Sequence, residues 1–508
     1  MMNKRFLLAL ALFFVCSLPA IGQVTYPVND IANPKDGCYA FINATIVVDD
    51  KTSLQHATMV IRKGKIESVG TNTNLPKDAV IVDCKNKFIY PSFIDMYTDY
   101  GISPLPAMAR NSRGVSQMLS DTKGAYGWNQ AIRSENEAAK KFAVNDAKAK
   151  ELRAIGFGTV MSQQMDGISR GTGAVVTLAN EKENLVMLKE KAAASYSFNK
   201  GSSTQDYPTS LMGSVALLRQ NYLDAQWYKT KPGTEGTNLS LEAFLNNQSL
   251  PQIFEANDKW NDLRADKIGD EFGVQFIIKA GGNEYQRIKE IKATNASFIV
   301  PLNYPMAMDV TDPADARFVS LADLKSWEMA PTNAGALEKA NINFALTTNG
   351  LKETATFIAN LRKAIQQGLS EQKALEALTK TPASLLGIYN ILGSLEVGKI
   401  ANFLIASAPI FQEKTIVYQN WIQGEKYSLK DNGWQDIRGT YNLVINKLPR
   451  TLIIKGDITK PDAEIIGKDT TKVDITVKEK LVLLTINFKK DSLNSASLSG
   501  ITGDSLWT

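Results

Sequence analysis

The chain has 508 residues, of which 44% are hydrophobic and 21% charged, a composition that indicates a packed globular protein and excludes a disordered one. Its formal net charge of +5 includes Lys4 and Arg5 in an N-terminal leader, so the rest of the chain is too weakly basic to predict nucleic-acid binding. This length accommodates two or three domains.

The N-terminus has the pattern of an export signal. A basic pair precedes an apolar run over residues 6–18, and small residues, Ala20 and Gly22, occupy the positions that a signal peptidase reads. The run is too short to span a bilayer comfortably. We therefore predict that residues 1–22 are a cleaved signal peptide and that the protein is periplasmic or secreted. A retained N-terminal anchor is the alternative.

Residues 37–91 contain short strand-like runs with β-branched residues: Tyr39–Asp49, Thr58–Val69, Val80–Asp83 and Phe88–Tyr90. Cys38 and Cys84 both fall in this module. An exported protein can form disulfides, so the two cysteines either pair or are two buried free thiols, and the sequence does not decide between these alternatives.

From about residue 92, apolar strand-like runs alternate with amphipathic helical segments. The predicted strands are Thr159–Met161, Ala174–Leu178, Val274–Lys279, Phe298–Leu302 and Phe344–Thr347, and helical segments include Glu135–Ile155, Tyr285–Lys292 and Glu353–Gln367. This alternation predicts a parallel sheet with helical crossovers. A span near 300 residues fits a (β/α)₈ barrel with insertions.

Strand character returns near the end of the chain, at Phe403–Ala406, Thr415–Val417 and Trp421–Ile422. Beyond these, from residue 436, the runs predict antiparallel strands joined by short polar turns: Tyr441–Ile445, Thr451–Ile454, Val473–Val477 and Leu481–Phe488.

Four segments resemble the amidohydrolase superfamily. KFIYPSFIDMYTDYG (87–101) is similar to its first barrel strand, and ATMVIRKGKIESVG (57–70) to the small sandwich that precedes the barrel. GLSEQKALEALTKTPASLLGI and GSLEVGKIANFLIAS are similar to its last helix and its return to the sandwich. The resemblance implies an α/β fold, with a composite β-sandwich from 37–91 and 390–430 and a (β/α)₈ TIM-like barrel over 92–389. The strand pattern adds an antiparallel β domain over 436–508.

The same resemblance shows that the metal ligands of the family are replaced. Tyr97 and Asp99 stand where the family has a His-x-His pair, Lys279 stands where a later strand has histidine, and Asn349 stands where the last strand has a proton-accepting aspartate. The chain has one histidine, His56, in the sandwich region. The resemblance therefore predicts degenerate positions and no cofactor or metal, because imidazole is the usual ligand in such sites.

Alternation along the first barrel strand predicts that Asp95, Tyr97 and Asp99 share one face and point into the barrel mouth. An atypical site built from Asp95 and Asp99 would favour hard divalent cations, but a neighbouring ammonium would repel them. A divalent metal belongs only to this alternative.

Two motif matches are interpreted as structural. Gly393–Lys399 resembles a phosphate-binding loop but is followed by Ile400 in place of serine or threonine, so we predict a turn between sandwich strands. Gly167–Gly171 matches the G-x-S-x-G motif of serine hydrolases, but no histidine follows it to accept the serine proton. We interpret it as a flexible loop.

The sequence thus favours an exported pseudoenzyme that scaffolds or completes a partner. One alternative is a hydrolase of carbon–nitrogen (non-peptide) bonds of cyclic or linear amides with an atypical site, and another is a small-ligand binding protein. An antiparallel sheet in residues 436–508 would leave an open edge. We predict that this region and the barrel rim dock against a histidine-bearing amidohydrolase partner or second half, while a self-sufficient monomer is equally compatible. No nucleic acid and no integral membrane segment after signal cleavage are expected.

Overall fold

The structure is a computed structural model that describes residues 37–105, 116–230, 236–430, 437–445, 448–457, 460–466, 470–478, 481–487 and 495–501. The predicted signal peptide lies outside the described residues. Among the helices that are described, none combines the length and hydropathy needed to cross a bilayer.

The first module is a sheet built from both flanks of the barrel. Its N-terminal strands are β1 (Cys38–Val47), β2 (Ser53–Arg62), β3 (Lys65–Gly70), β4 (Val80–Asp83) and β5 (Phe88–Pro91). Three strands from much later in the chain, β14 (Phe403–Ala406), β15 (Val417–Ile422) and β16 (Glu425–Ser428), continue the sheet through β5. The strand order is β16-β15-β14-β5-β1-β2-β3, with β4 also pairing β1. Phe41, Phe403 and Trp421 pack ring against ring in its core, which joins the two flanks.

Cys38 and Cys84 are both free and buried. They belong to different apolar clusters, and Cys84 lies with Phe41 and Trp421 in the main core of this sheet. Of the two alternatives that the sequence left open, the structure has the free thiols.

The second sheet is the barrel. Its strands are β6 (Phe93–Thr98), β7 (Phe157–Ser162), β8 (Ser169–Thr177), β9 (Met187–Ser197), β10 (Gln252–Glu255), β11 (Phe276–Lys279), β12 (Ser297–Pro301) and β13 (Phe344–Thr347), paired in sequence order. At the junction of the first and last strands, the Thr347 hydroxyl donates to the Tyr97 carbonyl at 3.2 Å. The predicted eight-stranded α/β barrel architecture is confirmed.

One strand departs from the predicted pattern. β8 pairs antiparallel with both β7 and β9, whereas the other described pairs of this sheet are parallel. Gly167–Gly171 is therefore not a flexible loop, because it leads into β8 and is buried throughout. Gly171 needs the left-handed region (φ +81°), and a Cβ there would collide with the Asn136 carbonyl.

Helices cover the outside of the barrel. They are α1 (Ala138–Lys141), α2 (Asp146–Ala154), α3 (Glu183–Val186), α4 (Leu211–Thr230), α5 (Leu239–Asn247), α6 (Lys259–Phe272), α7 (Ile288–Ala293), α8 (Pro313–Ala316), α9 (Leu321–Met329), α10 (Asn333–Lys339), α11 (Phe357–Gln366), α12 (Glu371–Leu378) and α13 (Lys380–Leu385).

The predicted helix over residues 135–155 was wrong in extent. Residues 142–145 separate α1 from α2, Phe142 is buried against the Tyr100 ring, and Asn145 caps α2 by accepting from the Lys148 amide. Burial of Phe142 and the cap at Asn145 outweigh the continuous amphipathic pattern.

The barrel has two apolar layers. Its interior is filled by side chains such as Ile253, Ile277, Ile299 and Ala345 from successive strands. The opposite face of the same strands packs against the helices. Because both faces are buried, strands such as β12 and β13 are mostly apolar, as expected for a sheet with two covered faces.

After the barrel, β14 (Phe403–Ala406), β15 (Val417–Ile422) and β16 (Glu425–Ser428) return to the first sheet. The final sheet is an antiparallel meander of β17 (Gly439–Ile445), β18 (Leu448–Asp457), β19 (Lys460–Ile466), β20 (Thr471–Lys478), β21 (Leu481–Asn487) and β22 (Ser495–Ile501). One face is buried and includes Leu452, Ile465, Leu484 and Ile486, so this sheet has its own core. The predicted C-terminal antiparallel β domain is confirmed.

Candidate functional site

Asp95 lies on β6 at the barrel mouth and is fully buried. Its carboxylate accepts from the Thr348 amide at 2.8 Å, the Thr348 hydroxyl at 2.7 Å and the Tyr97 amide at 3.0 Å. Burial raises the pKa of Asp95, and these hydrogen bonds oppose that rise. Oδ2 therefore joins the first barrel strand to the residue that follows the last one, while Oδ1 accepts from the Tyr97 amide within its own strand.

Arg170 is at the centre of the site. Its side chain is 3% exposed and forms an ion pair with Glu255 at 2.5 Å. Its other two contacts are donated hydrogen bonds, to the Tyr97 hydroxyl at 2.9 Å and to the Gly167 carbonyl at 3.0 Å. The antiparallel strand β8 thus places a guanidinium against the Tyr97 hydroxyl.

Glu255 ends β10 and faces two cations. Burial raises the pKa of its carboxyl, but Arg170, Asn257 and Lys279 together lower it by more than burial raises it. The net pKa of Glu255 therefore lies below the usual range. Glu255 therefore remains ionised and neutralises part of the positive charge at the mouth.

Lys279 ends the adjacent strand β11 and is buried. Its ammonium donates to the Asn257 side-chain carbonyl at 2.6 Å and lies 6.0 Å from the centre of the Tyr97 ring. Burial lowers the pKa of Lys279, while Glu255, Glu284 and Asp262 oppose the shift. Lys279 and Arg170 thus bring two cationic side chains to the same barrel mouth.

Two acidic side chains pack behind Lys279. Glu284 accepts from the amides of Gly281 and Gly282 and from the Asn333 side chain. Asp262 on α6 is fully buried, and neither of its oxygens has a hydrogen-bond partner in the structure. Burial, together with Glu284 and Asp258, raises the pKa of Asp262 well above its usual value.

The structure brings together some of the predicted positions and separates others. Tyr97 and Lys279 lie in one network, and Asn349 lies nearby after β13, where its amide contacts the Met165 sulfur at 3.6 Å. The prediction that Asp99 shares the inward face was wrong. β6 ends at Thr98 and its register with β7 shifts between Asp95 and Thr98, so alternation is lost and Asp99 is exposed.

The donor set does not fit the divalent metal of the atypical-site alternative. Metals of this kind need several free imidazole, thiolate or carboxylate groups, but the Asp95 oxygens are committed and Arg170 and Lys279 add positive charge. Across the described ranges, no three His, Cys, Asp or Glu side chains converge as ligands. His56 lies on β2 of the first sheet and not on a barrel strand.

A cavity of about 580 Å³ opens beside the network. Arg170, Glu255 and Asn257 line it together with Phe198, Lys200 and the first turn of α4. The charged network therefore forms part of the wall of a space large enough for a small molecule.

Sequence reasoning missed Arg170 and Glu255. Glu255 carried a signal, since a charged residue at the end of a buried apolar run is costly unless it is paired or functional, and it closes the run Ile253–Phe254. Arg170 carried no such signal, because it lies within the glycine-flanked stretch Gly167–Gly171.

Comparisons with known proteins agree with the fold. Residues 287–427 match the model of the amidohydrolase family. An imidazolonepropionase from Maricaulis maris is 23% identical over 71% of this chain and 90% of its own length. A dihydroorotase from Anaeromyxobacter dehalogenans is 22% identical over 72% of this chain and 88% of its own length. An imidazolonepropionase from Idiomarina loihiensis is 30% identical, but over only 37% of its length.

Among solved structures, an amidohydrolase from Thermotoga maritima superposes with a TM-score of 0.61. It is 22% identical and the match covers 76% of this chain and 99% of that one. At this identity the likeness concerns the fold and not the chemistry.

Proposed function

We propose that this chain, which belongs to the amidohydrolase superfamily, is a pseudoenzyme of that superfamily with a scaffolding or partner-completing role. The observation that carries the proposal is the placement of Arg170 and Lys279. Arg170 is ion-paired with Glu255, and Lys279 donates to Asn257 and lies close enough to Glu255 to lower its pKa, at the barrel mouth where the resemblance implies replaced metal ligands. A network of this kind holds the mouth together without a metal and supplies no activated water.

Metal analysis of untagged protein tests this proposal. Protein purified from cells grown with zinc, manganese and iron is expected to carry far less than one ion per chain. A chelator is expected to leave its thermal midpoint unchanged, because removing a ligand that binds only the folded state would lower it. One retained ion per chain, with a midpoint that falls on chelation, would refute the proposal.

The alternative is a hydrolase of carbon–nitrogen bonds in cyclic or linear amides, which the similarity to an imidazolonepropionase and a dihydroorotase favours. Under this alternative a divalent ion would be expected to support turnover of a cyclic amide. Hydrolysis that persists through purification and is lost in Lys279→Met would favour it. Turnover that co-elutes with another protein, or that survives Lys279→Met unchanged, would not.

We also propose export and docking. The leader pattern supports cleavage after Gly22 and a periplasmic or secreted location. In the C-terminal sheet, β17 and β22 each have one neighbour among the described strands, and Val444 and Leu448 beside this edge are exposed. An edge of this kind supports docking of residues 436–508 and the barrel rim on a histidine-bearing amidohydrolase partner.

Purification from the native host tests both proposals, export and docking. Mature protein should begin at Gln23 and elute with an identified histidine-bearing amidohydrolase, and deletion of residues 436–508 should abolish co-elution. A monodisperse monomer that elutes alone would support the self-sufficient alternative instead.

A further inference from the structure

The cavity beside the charged network is lined by residues at the barrel mouth and by residues from the segment before and at the start of α4. Arg170, Glu255 and Asn257 belong to the first group, and Phe198, Lys200 and Leu211 to the second. Its volume of about 580 Å³ lies in the range of small-molecule sites. The lining is mostly polar, and side chains such as Phe198 and Leu211 add apolar surface to it.

The acidic groups of the lining are already satisfied. Glu255 pairs with Arg170 at 2.5 Å. Asp258 caps α6, where it accepts from the amides of Trp260 and Asn261 and from the Asn261 side chain. Neither carboxylate is therefore free to attract a cationic ligand.

The donor groups of the lining are not used up. The Lys200 ammonium has three N–H donors, and its one described contact is with the Gln205 carbonyl at 2.7 Å. Arg170 has five N–H donors, of which three are engaged by Gly167, Tyr97 and Glu255. These two cationic side chains therefore have N–H donors beyond those used in the described contacts, which suits an acceptor-rich head group.

The loop that carries Lys200 is held in place. Asp166 accepts from the amide and hydroxyl of Ser202, and it forms an ion pair with Arg133 at 2.5 Å. Lys200 is thus presented by a braced segment, so little ordering is needed when a ligand binds.

We propose that this cavity is a binding site for a small organic anion, with a carboxylate or phosphate head group held by Lys200 and Arg170 and an apolar body against Phe198 and Leu211. The site needs no metal, and it stands or falls independently of the partner-docking role.

Three probes with the same ring and different head groups test the site: phenylacetate, phenyl phosphate and the neutral phenylacetamide. Calorimetric titration of the whole protein at low ionic strength is expected to show one anion bound per chain. The amide should bind at least about tenfold more weakly, because it loses the charge-assisted hydrogen bonds. Whichever anion binds more tightly identifies the head group.

Variants assign the binding to the cavity. Lys200→Gln should weaken anion binding about tenfold while amide binding stays the same. Lys200→Arg should restore most of it, and Lys85→Gln on the exposed sandwich surface should change nothing. Equal binding of amide and anions, equal losses in Lys200→Gln and Lys85→Gln, or no heat from either anion at millimolar concentration would each overturn the proposal.

Discussion

Replacing Glu255 with glutamine tests whether the charge network holds the barrel mouth together. The substitution keeps the shape of the side chain but removes the charge that faces Arg170 and Lys279. The Arg170 side chain is 3% exposed, so water cannot compensate. Breaking a buried pair by removing one partner costs about 3–5 kcal/mol, and we expect a loss in unfolding free energy of this size.

Removing Arg170 instead of the Glu255 charge should cost less unfolding free energy. In Arg170→Met, Glu255 keeps Lys279 and Asn257 as partners, while Tyr97 and Gly167 lose a donor. Two lost hydrogen bonds of about 1 kcal/mol each give about 2 kcal/mol. The double variant should lie close to Arg170→Met, because the uncompensated guanidinium is then absent.

Urea unfolding followed by near-ultraviolet circular dichroism measures these differences at constant slope. Arg219→Met is the matched control, since its pair with Glu271 has both side chains more than a third exposed and should contribute at most about 1 kcal/mol. If Glu255→Gln were no more destabilising than this control, or if the two single effects simply added, the reasoning would fail.

Three further predictions concern buried groups. Because the pKa of Asp262 is raised in the folded state, ionisation of this residue lowers the stability of the wild type as pH rises above about 3.9. Urea unfolding should therefore show Asp262→Asn to be the more stable protein, by a margin that is larger at pH 8 than at pH 5. A variant less stable than the wild type at pH 8 would contradict this. Gly171→Ala should lower the thermal midpoint by several degrees, since its Cβ would meet the Asn136 carbonyl at a positive φ; an unchanged midpoint would contradict it. Burial raises the pKa of both Cys38 and Cys84, the latter to about 12. In protein that lacks residues 1–22, both thiols should therefore react with a disulfide reagent only after unfolding, and dithiothreitol should not change the thermal midpoint. Rapid reaction of the native protein would contradict this.

The ends of the barrel could be predicted from sequence because their local patterns are strong. The run from Lys87 to Gly101 and the return strand β14 appear where expected. Inside the barrel, the prediction failed where tertiary contacts override alternation. The bulge in β6 moves Asp99 out of the site, although a strict period of two places it beside Tyr97.

The centre of the site could not be predicted for a related reason. Arg170 reaches Tyr97 because β8 runs antiparallel between two parallel strands, and strand direction is not encoded in the residues near position 170. The predicted strand Ala174–Leu178 covers only the second half of β8, and β9 and β10 were not predicted. Every residue of β8 is buried, so its first half, around Arg170, lacks the polar alternation that marks a strand.

The reversed strand β8 also has a consequence for the order of folding. β7, β8 and β9 lie within Phe157–Ser197 and pair as neighbours in an antiparallel meander, whereas a parallel pair must close a long crossover loop first. Contacts between residues close in sequence cost less loop-closure entropy. We therefore expect the amides of this meander to acquire hydrogen-exchange protection before the parallel strands β10–β13 during refolding, so that Arg170 would be in position before Glu255 arrives.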